Sequence, residues 1–173
     1  MRRAVLVVGC GLALYGVVLG GGAWWANAGL GQGACPPQDS VVVVDTKSQT
    51  LCLCDRGQLQ GRFRVALGRG GVGKQVEGDG KTPLGAYELG EPRPSSRFGI
   101  FVPVAYPTRE QAKQGYTGAD IGVHGPHRAA VWLGRASLFV NWTAGCIAVG
   151  TDHDIRAIAE WVRSAGVSRI MIV

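Results

Sequence analysis

Val41-Val42-Val43-Val44, followed by Leu51-Cys52-Leu53-Cys54 and the turn Asp55-Arg56-Gly57, decides what kind of chain this is. Four β-branched residues in a row favour a buried strand over a helix. The second apolar run, the turn and a third run from Gln58 to Leu67 read as a β-hairpin. Working outward, Gly68 to Gly80 is glycine-rich and reads as loop. Further strands are expected at Ala86 to Leu89, Phe98 to Ala105, Ile121 to His124, Ala130 to Leu133, Cys146 to Val149 and Ile170 to Val173. Thr108 to Gln114 reads as a short polar helix. One long helix is clear. Thr151-Asp152-His153-Asp154 opens it with capping chemistry, Ile155, Ile158, Ala159 and Val162 recur at helical spacing, and Gly166 stops it. Many strands with one main helix predict a mainly β sandwich or barrel-like domain. Trp132, Trp142 and Trp161 are expected in its core, with Trp142 the one candidate for a cleft.

Composition agrees with a folded domain. Hydrophobic residues make up 46% and charged residues 17%, too apolar for a disordered chain. The 28 glycines follow no Gly-X-Y period, which excludes collagen and predicts many turns. The formal charge is +6, of which +4 belongs to the body from Asp39 onward. This mild excess suits an anionic polymer or surface. No basic run interleaved with aromatics is present, so nucleic acid is not an expected partner.

The N-terminus reads as an address rather than part of the fold. Met1-Arg2-Arg3 precedes an apolar run from Ala4 to Ala26. As a helix it would extend about 34 Å, enough for a bilayer core. Trp24 and Trp25 lie at its far end, where indoles favour the membrane interface. Residues 1–28 therefore form either an uncleaved signal anchor or a signal peptide cleaved near Ala26-Asn27-Ala28. Val7-Val8-Gly9-Cys10 has too little apolar sequence before it to be a lipoprotein processing box. Residues 29–38 read as a flexible tether and 39–173 as the working domain. In either case the body is expected outside the cytoplasmic membrane, in the periplasm or cell envelope.

Chemistry concentrates in two stretches. Thr143-Ala144-Gly145-Cys146 leads into the strand Ile147-Ala148-Val149. A glycine before a cysteine frees the backbone to aim its N–H groups at the point the sulfur attacks, an oxyanion hole. Ile121-Gly122-Val123-His124-Gly125-Pro126 reads as a buried strand delivering His124 to its end. Cysteine plus histidine is the minimal pair of nucleophile and base. A free thiol is only a few per cent thiolate at neutral pH, and a nearby imidazole raises the reactive fraction. A Gly-Cys pair alone is more often a buried structural cysteine. His127 and His153 read as a loop histidine and a solvated helix-start histidine. Five cysteines are odd in number, so one stays free in a monomer, and Cys146 is the natural choice. Cys52 and Cys54 share one strand face, too local for an easy mutual disulfide. They are plain strand residues, a partner for Cys35, or half of a metal site. The glycine-rich loop lacks the spacing of a phosphate-binding loop.

With Thr82-Pro83-Leu84-Gly85, His124-Gly125 and Thr143-Ala144-Gly145-Cys146 in this order, the body resembles the L,D-transpeptidase catalytic domain, the YkuD-type fold of bacterial cell-wall enzymes. Gly78-Asp79-Gly80-Lys81-Thr82-Pro83 looks like a proteobacterial branch of it. The resemblance runs from about Val41 to Val173. It implies Cys146 as nucleophile and His124 as base, with the Gly125 carbonyl fixing the tautomer. Gly145, Gly125 and Thr143 would form the oxyanion and substrate-binding shell. It implies peptidoglycan stem peptides as substrate, and an amine as acceptor, an amine-bearing wall protein among the options. The cytoplasmic membrane would be a partner through the N-terminal segment. No metal or organic cofactor is implied. A hydrolase on the same bonds and a non-catalytic wall-binding module are the alternatives, with a metal-handling Cys-x-Cys protein more remote. Two positions depart from the family pattern: Ala144, where His or Arg is common, and Ala148, where Arg or Asn is common.

Overall fold

A computed structural model describes residues 35–173. The expected signal segment, and the first part of the tether, lie outside the described residues. Among the described residues no helix is long and apolar enough to cross a membrane.

Strands β1 (Ser40–Asp45), β2 (Thr50–Asp55) and β3 (Gln58–Ala66) form an antiparallel meander. Strands β4 (Gly85–Glu88), β5 (Arg93–Ser95), β6 (Gly99–Pro103), β7 (Gly122–His124), β8 (Ile147–Val149) and β9 (Arg169–Ile172) complete one sheet of order β4-β9-β1-β2-β3-β8-β7-β6-β5. Strand β3 belongs to both halves. Its residues up to Arg64 pair with β2, whereas Val65 and Ala66 pair with Val149 and Ala148 of β8. The sheet then curls until Leu89, just after β4, bridges Val104, just after β6. The fold is mainly β, and its two faces are halves of one curled sheet.

The curl encloses the core. Val42, Val44, Leu51, Leu53, Val65, Val102, Val123, Ile147, Val149, Ile170 and Ile172 point into one apolar cluster. Helix α2 (Asp152–Ser164) closes it with Ile155, Ile158 and Val162. Each such side chain contributes roughly 1.5–3 kcal/mol of burial. The Thr151 hydroxyl caps this helix by accepting from the Asp154 N–H at 3.1 Å. Helix α1 (Arg109–Lys113) is short and carries a Thr108/Gln111 capping box.

Two local expectations are corrected. Ala130 to Leu133 is not a strand. It lies in a kinked 3₁₀ stretch, Arg128–Phe139, begun by His127, whose Nδ1 accepts from the Ala129 N–H. Among the described residues no strand pairs with it, and its apolar residues face solvent: Trp132 is 79% exposed and so leaves the core. Trp161 packs, partly buried, against the main cluster. Strand β5 has no signature in sequence, because Pro92 and Pro94 flank and interrupt it. A proline is tolerated there because β5 is an edge strand, paired only with β6.

Cys35 is bonded to Cys54, which ties the start of the described chain to the end of β2. Cys52 is free and buried, and Cys146 is free and half-buried.

Candidate active site

Strands β7 and β8 run parallel as neighbours, with Val123 opposite Ile147 and His124 opposite Ala148. Cys146 immediately precedes β8 and so lies level with Gly122. Side chains alternate along a strand, which places His124 and Cys146 on the same face, with Cα atoms roughly 8 Å apart by strand spacing. The two residues, 22 positions apart in sequence, are thus brought to one end of one strand pair.

His124 is enclosed, at 1% exposure. Phe98 stacks on its ring at 3.9 Å between centroids, Phe101 lies parallel at 6.2 Å, and Trp142 meets it edge-on at 5.7 Å. Its Nδ1 is 2.7 Å from the Gly125 carbonyl oxygen. A carbonyl only accepts, so Nδ1 carries the proton and Nε2 is left as the basic atom. Burial in this aromatic box disfavours the imidazolium. The Gly125 carbonyl opposes that effect and His127 adds to it, and the pKa falls to about 4. His124 is therefore neutral at pH 7.

Cys146 rests as a thiol. Its Sγ–H donates to the Asp120 carbonyl at 3.3 Å. Burial pushes its pKa up to about 11. The Gly122 N–H works against this by favouring the thiolate, the Asp120 charge raises it further, and Lys74 lowers it. The resting pair is neutral thiol and neutral imidazole, not a thiolate–imidazolium ion pair. Asp120 brings its carbonyl to the sulfur through a left-handed backbone, at φ +55°.

The turn before Cys146 is locked from within. The Thr143 hydroxyl donates to the Cys146 carbonyl at 2.7 Å and accepts from the Gly145 N–H at 3.1 Å. Thr143 is buried, so it acts as a support of the turn. Gly145 has φ +131°, and a Cβ there would stand 2.6 Å from the Lys81 carbonyl oxygen. Only glycine fits. Ala148, beside His124 in the ladder, is fully buried under Leu138 and Trp142.

His153 is 86% exposed, as its helix-start position predicts. Phe98, Asp120 and Lys74 do not stand out in the sequence. A loop aromatic, a backbone carbonyl and a buried lysine leave no local signature. Among the described residues no group of three or more His, Cys, Asp or Glu side chains is gathered as metal ligands would be. A groove of about 430 Å³ lies between β3 and the 3₁₀ stretch, lined by Arg62, Arg64, Arg135 and Phe139 among others, and neither Cys146 nor His124 lines it.

The sequence matches the L,D-transpeptidase catalytic domain, YkuD, over residues 39–171. The chain belongs to this family. Among solved structures, the L,D-transpeptidase fold of this chain is similar to that of the helical cell shape determining protein Pgp2 from Campylobacter jejuni. The TM-score is 0.63 at 26% identity, over 76% of this chain and 46% of that one. Bd1075 of Bdellovibrio bacteriovorus gives a TM-score of 0.57 at 22% identity, over 81% of this chain and 52% of that one. An L,D-transpeptidase from Mycobacterium tuberculosis gives 0.50 at 17%, over 77% and 57%. The chain spans about half the length of these relatives. A comparison with curated protein sequences finds no match.

Proposed function

We propose that this domain is a cysteine-dependent L,D-transpeptidase acting on the stem peptides of peptidoglycan. The observation that carries the reading is a free, half-buried Cys146 at the head of β8, beside a strand that delivers His124 with Nδ1–H fixed on Gly125.

The chemistry follows from those atoms. Nε2 of His124 takes the Cys146 thiol proton as Sγ attacks the carbonyl before the terminal D-amino acid. A C–S bond forms. The developing oxyanion rests on the Cys146 N–H, since the Gly145 N–H is already held by Thr143. The C–N bond then breaks, and His124 returns the proton to the leaving D-Ala amine. An acceptor amine attacks the thioester and the thiol is regained. The attacked residue is meso-diaminopimelate in this reading. The acceptor is a second stem peptide or an amine-bearing wall protein. In this reading the Arg2-Arg3 and Ala4 to Ala26 segment directs export and the domain works in the envelope, and likeness to Pgp2 supports a part in cell shape.

Hydrolysis of the same bonds is the second reading. Ala144 and Ala148 bear on the choice between the two, because they stand where polar residues that hold substrate are common in the family. The test is incubation with tetrapeptide muropeptides followed by product analysis. Crosslinked dimers support transfer, free tripeptide supports the hydrolase, and unaltered tetrapeptide contradicts both.

A further inference from the structure

The groove between β3 and the 3₁₀ stretch is concave and basic, with a volume of about 430 Å³. Arg62 and Arg64 stand two apart on β3, so their side chains project from one face. The 3₁₀ stretch supplies Arg135, Leu138 and Phe139, and α2 supplies Asp154. This carboxylate is already engaged. Asp154 Oδ1 accepts from the Arg135 guanidinium at 3.4 Å, and its side chain is 8% exposed. Arg62 and Arg64 are exposed and make no ion pair among the described residues. A guanidinium is a planar fork of donors whose spacing matches the two oxygens of a carboxylate. Two unpaired forks beside an open phenyl ring, Phe139 at 80% exposure, fit a ligand that joins carboxylates to apolar chain.

The groove shares a face with the site. His124, Ala148 and Ala66 follow one another across β7, β8 and β3, and residues directly opposite in a ladder share a face. Ala66, Arg64 and Arg62 alternate along β3 and continue that face. Leu138 and Trp142 pack over Ala66 and Ala148, and Trp142 meets the His124 ring edge-on. Just past β8, a Cβ on Gly150 would stand 2.8 Å from the Arg135 Cα and 3.2 Å from Leu138 Cδ1. The wall of the groove therefore rests on the far end of the strand that Cys146 precedes. From Cys146 to Gly150 is roughly 13 Å at strand rise. A group held in the groove is too far from the sulfur to react, and about four extended residues bridge the gap.

We propose that this groove anchors the carboxylates of a neighbouring stem peptide while another is at Cys146, with Arg62 and Arg64 as the carboxylate-binding pair and Phe139 as an apolar wall. The inference rests on peptidoglycan being the substrate. That polymer repeats its stem peptides along each strand, and the stems carry free carboxylates, so a second one comes within reach when the first is bound. The groove adds affinity for the polymer and takes no part in bond making at the sulfur. Arg135 stays with Asp154 and steadies the wall.

The test uses the full chain in detergent, in a Cys146→Ala background so that nothing turns over, and measures co-sedimentation with purified peptidoglycan sacculi. It reads binding alone, so its failure is distinguishable from an absence of enzyme activity, which the muropeptide assay on the unaltered protein reads. Adding Arg62→Gln and Arg64→Gln together should weaken binding about tenfold, since an exposed ion pair is worth up to a factor of about five. Both side chains are exposed, and circular dichroism checks that the double variant is folded. Sacculi whose carboxylates have been amidated should bind the parent more weakly than native sacculi do, and the double variant should distinguish the two less than the parent does. Equal binding of native sacculi by parent and double variant would overturn the proposal, as would undiminished discrimination between native and amidated sacculi. Loss of binding to phosphatidylglycerol vesicles with sacculus binding kept would also overturn it, and would assign the groove to a lipid surface.

Discussion

In β1, β2 and β3 the strands run for six to nine residues, and the inward positions are large aliphatics such as Val42, Val44, Leu51 and Leu53. In β7 and β8 the strands are three residues long. The residues that matter there are one histidine, a cysteine just outside the ladder, and glycines pressed against backbone at Gly122, Gly125 and Gly145. The first region is held by side-chain volume. The second is held by backbone geometry borrowed from loops that the first region anchors. Substitutions should therefore divide into those that lower stability and spare the chemistry, and those that do the reverse.

The largest separation is expected at His124. His124→Gln should lower turnover by roughly 10²–10⁴, the usual worth of a general acid–base. The folded fraction, followed by circular dichroism, should stay high. A loss below tenfold would mean that another group moves the proton. Leu51→Ala should behave in the opposite way. A buried Leu→Ala change destabilises by about 2–5 kcal/mol, read by urea unfolding, while turnover per folded molecule stays unchanged. If turnover falls in proportion to stability, the two regions are not separable.

The pH response sharpens the same contrast, because it belongs to the site alone. His124 has a folded pKa of about 4 against an ordinary 6.5. The unfolded chain therefore binds this proton first. The neutral imidazole contributes stability above about pH 6.5, and this is lost as pH falls from 6.5 toward 4. The loss is on the order of 3 kcal/mol, and His124→Gln should abolish that part of it. The acid limb of activity should likewise lie near pH 4. A limb near 6.5 would mean that the imidazole is open to water. The smallest expected effect is at Gly145. Gly145→Ala places a Cβ on the Lys81 carbonyl at positive φ, a strain of about 1–3 kcal/mol. Its activity should fall further than its stability, since the displaced turn carries Cys146.

The same contrast explains what could be read in advance. Runs such as Val41 to Val44, and the 3.6-residue spacing of Ile155, Ile158 and Val162, state burial directly, so most strands and α2 are visible in the sequence. The 3₁₀ stretch is not, because Val131-Trp132-Leu133 has the composition of a strand yet lies in a kinked helical stretch with its side chains exposed. Strand β5 is hidden by prolines that an edge position tolerates. At the site, His124 and Cys146 stand out by residue type. Their meeting depends on the parallel pairing of β7 with β8, which no local pattern states. The Cys35–Cys54 bond is one of several pairings that spacing allows. The contacts of Phe98, the Asp120 carbonyl and Lys74 with the pair follow from loop conformation, and residue type carries no trace of them.

The central claim is that a stem peptide becomes bound through its carbonyl to the sulfur of Cys146. The direct measurement is intact-protein mass spectrometry after acid quenching of the enzyme with tetrapeptide muropeptide, followed by peptide mapping. The account predicts a mass gain equal to the donor less its terminal D-Ala, located on Cys146 and absent in Cys146→Ala. Full turnover in Cys146→Ala, or an acyl group mapped to another residue, would contradict it.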